Sequence, residues 1–496
     1  MIVSGCGLLH AWSSWHVDEP EFGTIFLVLE LSASQAACCV FPHIPNTSSC
    51  AMIAQLSVLL LTGALTAVAL PTSSPAKRAD PKAVFAHVIV GNTYNYTPDK
   101  WASDISLASS KAIDAFTMNV GSNDWQPARV LDAYNAAQQV APNFKLSISL
   151  DMNSLACATV ADGQYIIDNF ITPFKSHPNR YLYSNKMFLS TFAGQWCTFG
   201  QASAPAGWKW LIQNSGTSIY FIPNLQIGDA TLLSTTWNFI DGFKLWNAWP
   251  KTAADNTQWA DDAWWLQNSP GKGYLTLVSP WFFIHRAGGD PAINNRYLRG
   301  DNFEYRQRWQ QLIDHRDSLP FVEVATWNDY GESHYIGPMT GLWPDDVKYI
   351  TVNNDHQAWA DYTWYYATWW KSGAAPTIAT DRVYMWARPH PKNAAICSND
   401  GVGAVLNADW ADDLLYISLF LKSPAQAYCY SGSNNSGTKD LNAGVNEFTI
   451  PLAVGGVGCT ITRNGVTLIN YNPTDFTYTT SPSVCNLNAW TGLLRG

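Results

Sequence analysis

Charge is scarce in this chain. Asp, Glu, Lys and Arg make up only 14% of its 496 residues, well below the usual quarter. With 47% hydrophobic residues, the shortage excludes a disordered or charge-stabilised polymer. No run of Lys or Arg occurs, and the net charge is −9 with a pI near 5.5. Nucleic acid is thereby excluded as a partner, because phosphate binding needs clustered cations. No early GxGxxG turn is present, which argues against a dinucleotide-binding sheet. No CxxC is formed by the six cysteines beyond residue 150, so no metal is expected.

Aromatic residues, in contrast, are plentiful: 24 Trp and 22 Tyr. Many of them suit a core, and the excess also fits stacking on sugar rings. The N-terminus carries an uncharged apolar run, Ile53–Leu70, directly after Met52. It ends in Ala67-Val68-Ala69, a small-x-small pattern of the signal-peptidase type. Residues 1–51 are read as a gene-model artefact or disordered leader, and 52–78 as signal peptide and short pro-segment ending at Lys77-Arg78. The alternative is one retained membrane anchor. Secretion, to the extracellular space or cell wall and without stable membrane insertion, agrees with the cysteines. Cys157, Cys197, Cys397, Cys429, Cys459 and Cys485 form an even set. A Cys157–Cys197 bridge and two bridges among the last four are expected, with the pairing of those four open. Asn95 and Asn434 stand in N-glycosylation sequons. A monomer is expected.

From residue 83, β-rich runs alternate with amphipathic ones. The expected strands are Ala83–Gly91, Ala115–Gly121, Lys145–Met152, Met187–Gly194, Ile219–Leu225, Gly242–Trp249, Gly273–Trp281 and Phe321–Asp329. The expected helices include Pro98–Ile113, Gln126–Val140, with Val130, Leu131, Tyr134, Ala137 and Val140 on one stripe, Ala230–Phe239, Phe303–Asp317 and Trp359–Lys371. Eight alternations over this length predict a (β/α)8 TIM barrel at 79–375. Beyond Pro376 the pattern turns to short strands and Gly, Asn and Ser turns. This predicts a C-terminal β-sandwich at 376–496.

In such a barrel the working residues gather where strands end. Those ends carry amides, rings and acids. The run Phe321–Glu332, FVEVATWNDYGE, places Asp329 and Glu332 close enough to share one site. Glycoside hydrolysis needs two carboxyls, one protonated and one ionised. An isolated DxxE is more often a turn cap, but its position at the end of the eighth strand favours catalysis. Asp151 ends the third strand and is either a loop cap or a third working acid. Trp246, Trp281, Trp327 and Tyr330 are candidate sugar platforms, and Asn224 a candidate hydroxyl ligand. His87 sits inside an apolar strand. It reads first as a buried structural histidine and second as a substrate contact. No organic cofactor is needed, because two carboxyls and water suffice.

The segments AVFAHVIVGNTYNYTPDKW, FTMNVG, LSISLDMNS, FLSTFAG, YFIPN, WNAWP and above all EVATWNDYGESHYIGP resemble glycoside hydrolase family 71, the fungal α-1,3-glucanases or mutanases. The resemblance spans residues 82–375 and continues more loosely beyond. It implies a (β/α)8 barrel and endo-type, inverting cleavage of α-1,3-glucan. It points to Asp329 and Glu332 as the catalytic pair, with Glu332 as acid and Asp329 as base, and to Asp151 as a further acid. A non-catalytic glucan-binding protein on the same scaffold is the alternative. A wall protein held by a retained anchor is a third reading.

Overall fold

The structure is a computed structural model that describes residues 82–250, 258–341 and 354–496. The expectations for the leader, the apolar run Ile53–Leu70 and Lys77-Arg78 lie outside the described residues. No helix among the described residues is long and apolar enough to cross a membrane.

Eight parallel strands build a curled sheet: β1 (Ala83–Ile89), β2 (Ala115–Val120), β3 (Lys145–Asp151), β4 (Lys186–Phe192), β5 (Ile219–Asn224), β6 (Gly242–Lys244), β7 (Gly273–Val278) and β8 (Phe321–Val324). Consecutive strands pair from β1 to β5 and from β6 to β8, and β8 pairs back with β1. Where β5 and β6 meet, the Asp241 N–H donates to the Phe221 carbonyl at 3.0 Å. Asn224 Nδ2 reaches the Lys244 carbonyl at 3.0 Å. Amphipathic helices cover the outside, among them Pro98–Ser110, Gln126–Val140, Ala204–Asn214, Gln258–Asn268, Glu304–Asp314 and Gln357–Ser372. Thr97 caps the first of these, with Pro98 opening it, as the free N–H groups of a first turn favour.

Several elements are shorter than their patterns suggest: the strands expected over Phe321–Asp329 and Gly273–Trp281 end at Val324 and Val278. Ala230–Phe239 yields only a turn of helix, Thr231–Ser234, because Thr235 and Thr236 are weak helix formers. The strand expected to reach Trp249 stops at Lys244. Beyond it the chain crosses the strand ends, and the Trp249 indole N–H donates to the Trp281 carbonyl at 2.8 Å. The Gln126–Val140 helix buries Val130, Ala133, Tyr134, Ala136 and Ala137. Leu131 and Val140 face outward, so the buried stripe is rotated from the expected one towards the alanines.

The pleat decides what fills the sheet's interior, since alternate residues share a face. At the strands' N-terminal ends that face carries Phe85, Phe188, Tyr220, Leu275 and Phe321, packed as one cluster. Phe85 and Phe188 stack at 5.3 Å. Two residues further on it carries His87, Ser190, Ile222, Leu277 and Glu323. One more step gives Ile89, Asn119, Asp151, Phe192 and Trp246, which open on a cleft. The bottom is thus an aromatic plug, the middle a polar layer and the top a lined opening.

The C-terminal residues form two antiparallel sheets. One runs Gly444–Pro451, Leu414–Leu421, Arg382–Ala387, Trp490–Arg495; the other is built on Ala425–Ser431 and Val457–Arg463. Their inner faces share a core that includes Val383, Ile417, Cys429, Ile461 and Trp490. The helix Gln357–Ser372 joins them to the curled sheet, with Tyr362 packed between Tyr305 and Tyr384. Buried Arg388 pairs with Asp301 at 2.9 Å across the same junction.

The expected Cys157–Cys197 bridge is present, and the open pairing resolves as Cys397–Cys485 and Cys429–Cys459. Cys429 and Cys459 lie opposite each other on neighbouring strands. The first bridge closes a separation of 40 residues. Replacing Cys157 and Cys197 together with Ser is expected to cost about 2–4 kcal/mol, read as a lower urea midpoint with a larger m-value, since the unbridged chain unfolds to a more open ensemble.

Candidate active site

The cleft above the strand ends has a volume of about 280 Å³. Its walls include His87, Asn92, Asn119, Asp151, Trp246 and Arg286, and Asp329 and Glu332 lie among them. Five of the nine residues expected at the site therefore come together: Asp329, Glu332, Asp151, Trp246 and His87.

The loop that presents the two acids is held by its own neighbours. The Trp327 N–H donates to the His87 carbonyl at 2.7 Å. Asn328 pairs like a strand with Ile89, accepting its N–H at 2.7 Å and donating to its carbonyl at 3.0 Å. Trp327 Nε1 donates to Asp104 at 2.9 Å. The Tyr330 hydroxyl donates to the Pro338 carbonyl at 3.0 Å. Gly337 packs so closely on Trp327 that a Cβ there would meet its carbonyl oxygen at 2.7 Å. The motif's rings and amide thus anchor the turn, and its two acids reach the cleft.

This corrects four expectations. Trp281, Trp327 and Tyr330 are fully buried and are not sugar platforms in this cleft. Trp281 lies under the Arg388 guanidinium at 4.3 Å, at the junction with the C-terminal sheets. Asn224 is buried, and its Nδ2 donates across the β5–β6 seam. Trp246 does wall the cleft. Its ring is wedged by His87 at 5.0 Å, Phe192 at 5.4 Å and the Lys244 ammonium at 5.1 Å. His87 is buried, bonded to Glu323 at 3.2 Å, and is among the residues lining the cleft.

Sequence reasoning missed Ile89, Phe192, Arg286, Thr326 and His334. Ile89 and Phe192 were available from the pleat, two residues beyond His87 and Ser190. His334 lies inside the quoted motif. Arg286 gave no signal, because the short hairpin Phe283–His285 with Asn295–Tyr297 carries it over the cleft. Its neighbour His285 points away, to Asn295 and Asp400.

The acids are electrostatically unequal. Burial pushes the Asp329 carboxyl up, and the nearby Glu332 carboxylate pushes it further, to about 6, against His334 and Arg286. Burial also pushes Glu332 up, but the His334 hydrogen bond and charge, with Arg286 and Arg296, outweigh it and hold Glu332 below its ordinary range. The Glu332 side chain is still 30% exposed, so it meets whatever enters the cleft. Asp151 is raised by burial, opposed by the N–H groups of Asn153 and Ser154. The two motif acids are near enough for the charge on Glu332 to raise the proton affinity of Asp329. Ligating atoms of Asp329, Glu332 and His334 lie within 4.8 Å of one another, close enough to bracket a cation. His334 Nε2 is already engaged by Glu332 at 2.7 Å, and the arginine charges oppose a further positive one.

Such an arrangement can hold one proton beside one carboxylate at the floor of a cleft with an aromatic wall. The model of glycosyl hydrolase family 71 matches residues 80–496. Glucan endo-1,3-alpha-glucosidase agn1 of Schizosaccharomyces pombe is 36% identical over 421 residues, 83% of this chain and 95% of that protein. A mutanase of Penicillium rubens is 32% identical over 417 residues, 82% of this chain and 87% of that one. Among solved structures, a GH99 endo-alpha-mannosidase from Bacteroides thetaiotaomicron aligns with a TM-score of 0.43 at 13% identity, covering 58% of this chain and 97% of that one.

Proposed function

Because the chain belongs to glycosyl hydrolase family 71, we propose that it hydrolyses the α-1,3-glucosidic bonds of α-1,3-glucan. Asp329 and Glu332 are the acid–base pair, and Asp151 is a further acid facing the same substrate. The eight-strand sheet is a (β/α)8 barrel over 79–375, and the two C-terminal sheets are an accessory β-sandwich over 376–496. The enzyme works outside the cell or in the wall, where its three disulfides are stable.

One observation carries this reading. Two carboxyls share a cleft floor with their proton affinities pushed apart, the condition for one group to protonate the leaving oxygen while the other stays charged. The raised carboxyl of Asp329 makes it the better holder of that proton. The resemblance orders the roles the other way. Chemistry on the variants assigns them: an acid variant keeps its rate on glucosides with good leaving groups, and a base variant is rescued by azide.

Endo action on a polymer fits an open cleft walled by Trp246. Inversion requires space for a water, about 6.5–9.5 Å between carboxyl groups. Near atoms of Asp329 and Glu332 lie within 4.8 Å of each other. Inversion therefore needs the pair to part on substrate entry, or Asp151 to share in activating the water. The expected result is β-anomer as the first product, followed by NMR before mutarotation. α-Anomer first would mean that the pair works at its resting distance, as nucleophile and acid.

The primary test is reducing-sugar release by the purified chain from insoluble α-1,3-glucan, with β-1,3-glucan and starch in parallel. Release from the α-1,3 polymer alone is expected. Retention on that polymer without release would instead support a binding protein on a hydrolase scaffold.

A further inference from the structure

We propose that Thr326 and His334 form a positioning relay that links the two motif acids and fixes how Glu332 holds its charge. The inference rests on the acid–base reading of Asp329 and Glu332 given above. Neither relay residue meets the cleft: both are fully buried.

The argument follows the hydrogens. The Thr326 hydroxyl accepts the Asp329 N–H at 2.9 Å. Its single proton is left for the other neighbour, His334 Nδ1, at 3.1 Å, and the relay has the hydroxyl donate there. The relay concerns the neutral ring: there a nitrogen that accepts carries no proton, so Nε2 holds it. Nε2 then donates to Glu332 Oε2 at 2.7 Å. One hydroxyl thus reads the Asp329 backbone on one side and sets the Glu332 partner on the other.

The relay is rigid. The His334 ring lies between Trp249 at 5.3 Å and Phe282 at 5.7 Å. The Thr326 N–H donates to the His334 carbonyl at 3.0 Å, and the Ile336 N–H donates to the Thr326 carbonyl at 2.9 Å. These two backbone bonds fix the separation of hydroxyl and ring. Other charges reach the same place. Asp329, Arg286 and Arg296 act on Glu332. His87 on β1 and His356, just before the helix Gln357–Ser372, face His334. None of these sets the tautomer, because none bonds to His334 Nδ1.

The test reads the tautomer first. In the full chain labelled with ¹⁵N-histidine, His334 is expected to show a protonated Nε2 and a bare Nδ1. Assignment uses the spectrum of His334→Gln. The isosteric Thr326→Val removes both the acceptor for Asp329 and the donor for Nδ1. One limb of the kcat/KM–pH profile is expected to move to higher pH by about 1 unit, tenfold in proton affinity, the scale of one lost hydrogen bond to a charge. kcat is expected to fall more than KM rises. His334→Gln offers an amide N–H to Glu332 without help from Thr326. It is expected to keep more activity than His334→Ala, and Thr326→Val should add no further shift in that background. A His334 protonated on Nδ1 in the wild type overturns the relay. So does a Thr326→Val profile with both limbs unmoved. If the wild type cleaves none of the glucans, the functional reading fails, and the nitrogen shifts still decide the relay.

Discussion

Glu332→Gln is expected to lower kcat on α-1,3-glucan by about 10²–10⁴-fold, with little change in KM. Gln has the same shape, and its carbonyl oxygen can accept the bond that His334 Nε2 gives to Glu332 at 2.7 Å. What it loses is the ability to carry charge or a proton. Asp329→Asn is expected to have an effect of similar size, for the same reason. The double variant should be little worse than either, since groups acting as one unit are not additive. The pH profile follows from the pair. Asp329 is raised to about 6 by burial and by Glu332, and turnover needs one proton on the pair, whichever of the two donates it. Activity therefore declines above about pH 6, and declines again on the acid side where Glu332 is neutralised. Asp329→Asn should abolish the limb near 6. Near-native rates in both single variants, with circular dichroism unchanged, would remove the pair from the mechanism.

Lys244→Met is expected to produce a large loss of stability, about 3–5 kcal/mol. Beneath the cleft, Lys244 Nζ lies 2.5 Å from Glu323, and both side chains are fully buried. Glu323 also meets His87 at 3.2 Å. Removing the lysine leaves a carboxylate inside the curled sheet with no full counter-charge. Lys244→Met combined with Glu323→Gln is expected to recover much of the loss, because the cost arises from the unpaired charge. The pH dependence has a definite sign. Burial pushes the Glu323 carboxyl up, but Lys244 and then His87 outweigh burial and hold it at about 2, below its ordinary 4.5. A depressed carboxyl stabilises above its unfolded pKa and loses that contribution as pH falls. The gap between wild type and Lys244→Met should therefore be full above pH 4.5 and shrink towards pH 2. Guanidinium titrations across that range measure it. Equal midpoints at pH 7 would show that the pair contributes nothing net.

The same cluster shows where sequence reading runs out. Lys244 and Glu323 lie in separate strands, and neither stands in a local pattern that marks a partner. They meet because β6 and β8 flank β7, and the pleat turns both side chains inward. Within the motif the limit is different. Trp327 and Tyr330 looked like sugar platforms because rings stack on sugars. Their partners, Asp104 and Pro338, come from other turns of the chain, and they consume those side chains in holding the loop. The Gln126–Val140 helix makes the same point in small. Its period was legible, but which alanines faced inward depended on the sheet beneath.

By itself the sequence determined the alternation of strands and helices, the switch to short strands after Pro376, the first disulfide and the presence of two acids on one short turn. These are local or periodic properties, set by backbone preference and the spacing of apolar residues. Tertiary structure alone decided the pairing of the last four cysteines, which aromatic rings reach the cleft, and how the two acids divide their proton. Each of those depends on groups far apart in the chain. A carboxyl's proton affinity is set by burial and by the charges and donors around it. For Glu332 these include Arg286 and Arg296, from a distant hairpin, and a histidine two residues away, whose tautomer is set by a hydroxyl at the end of β8.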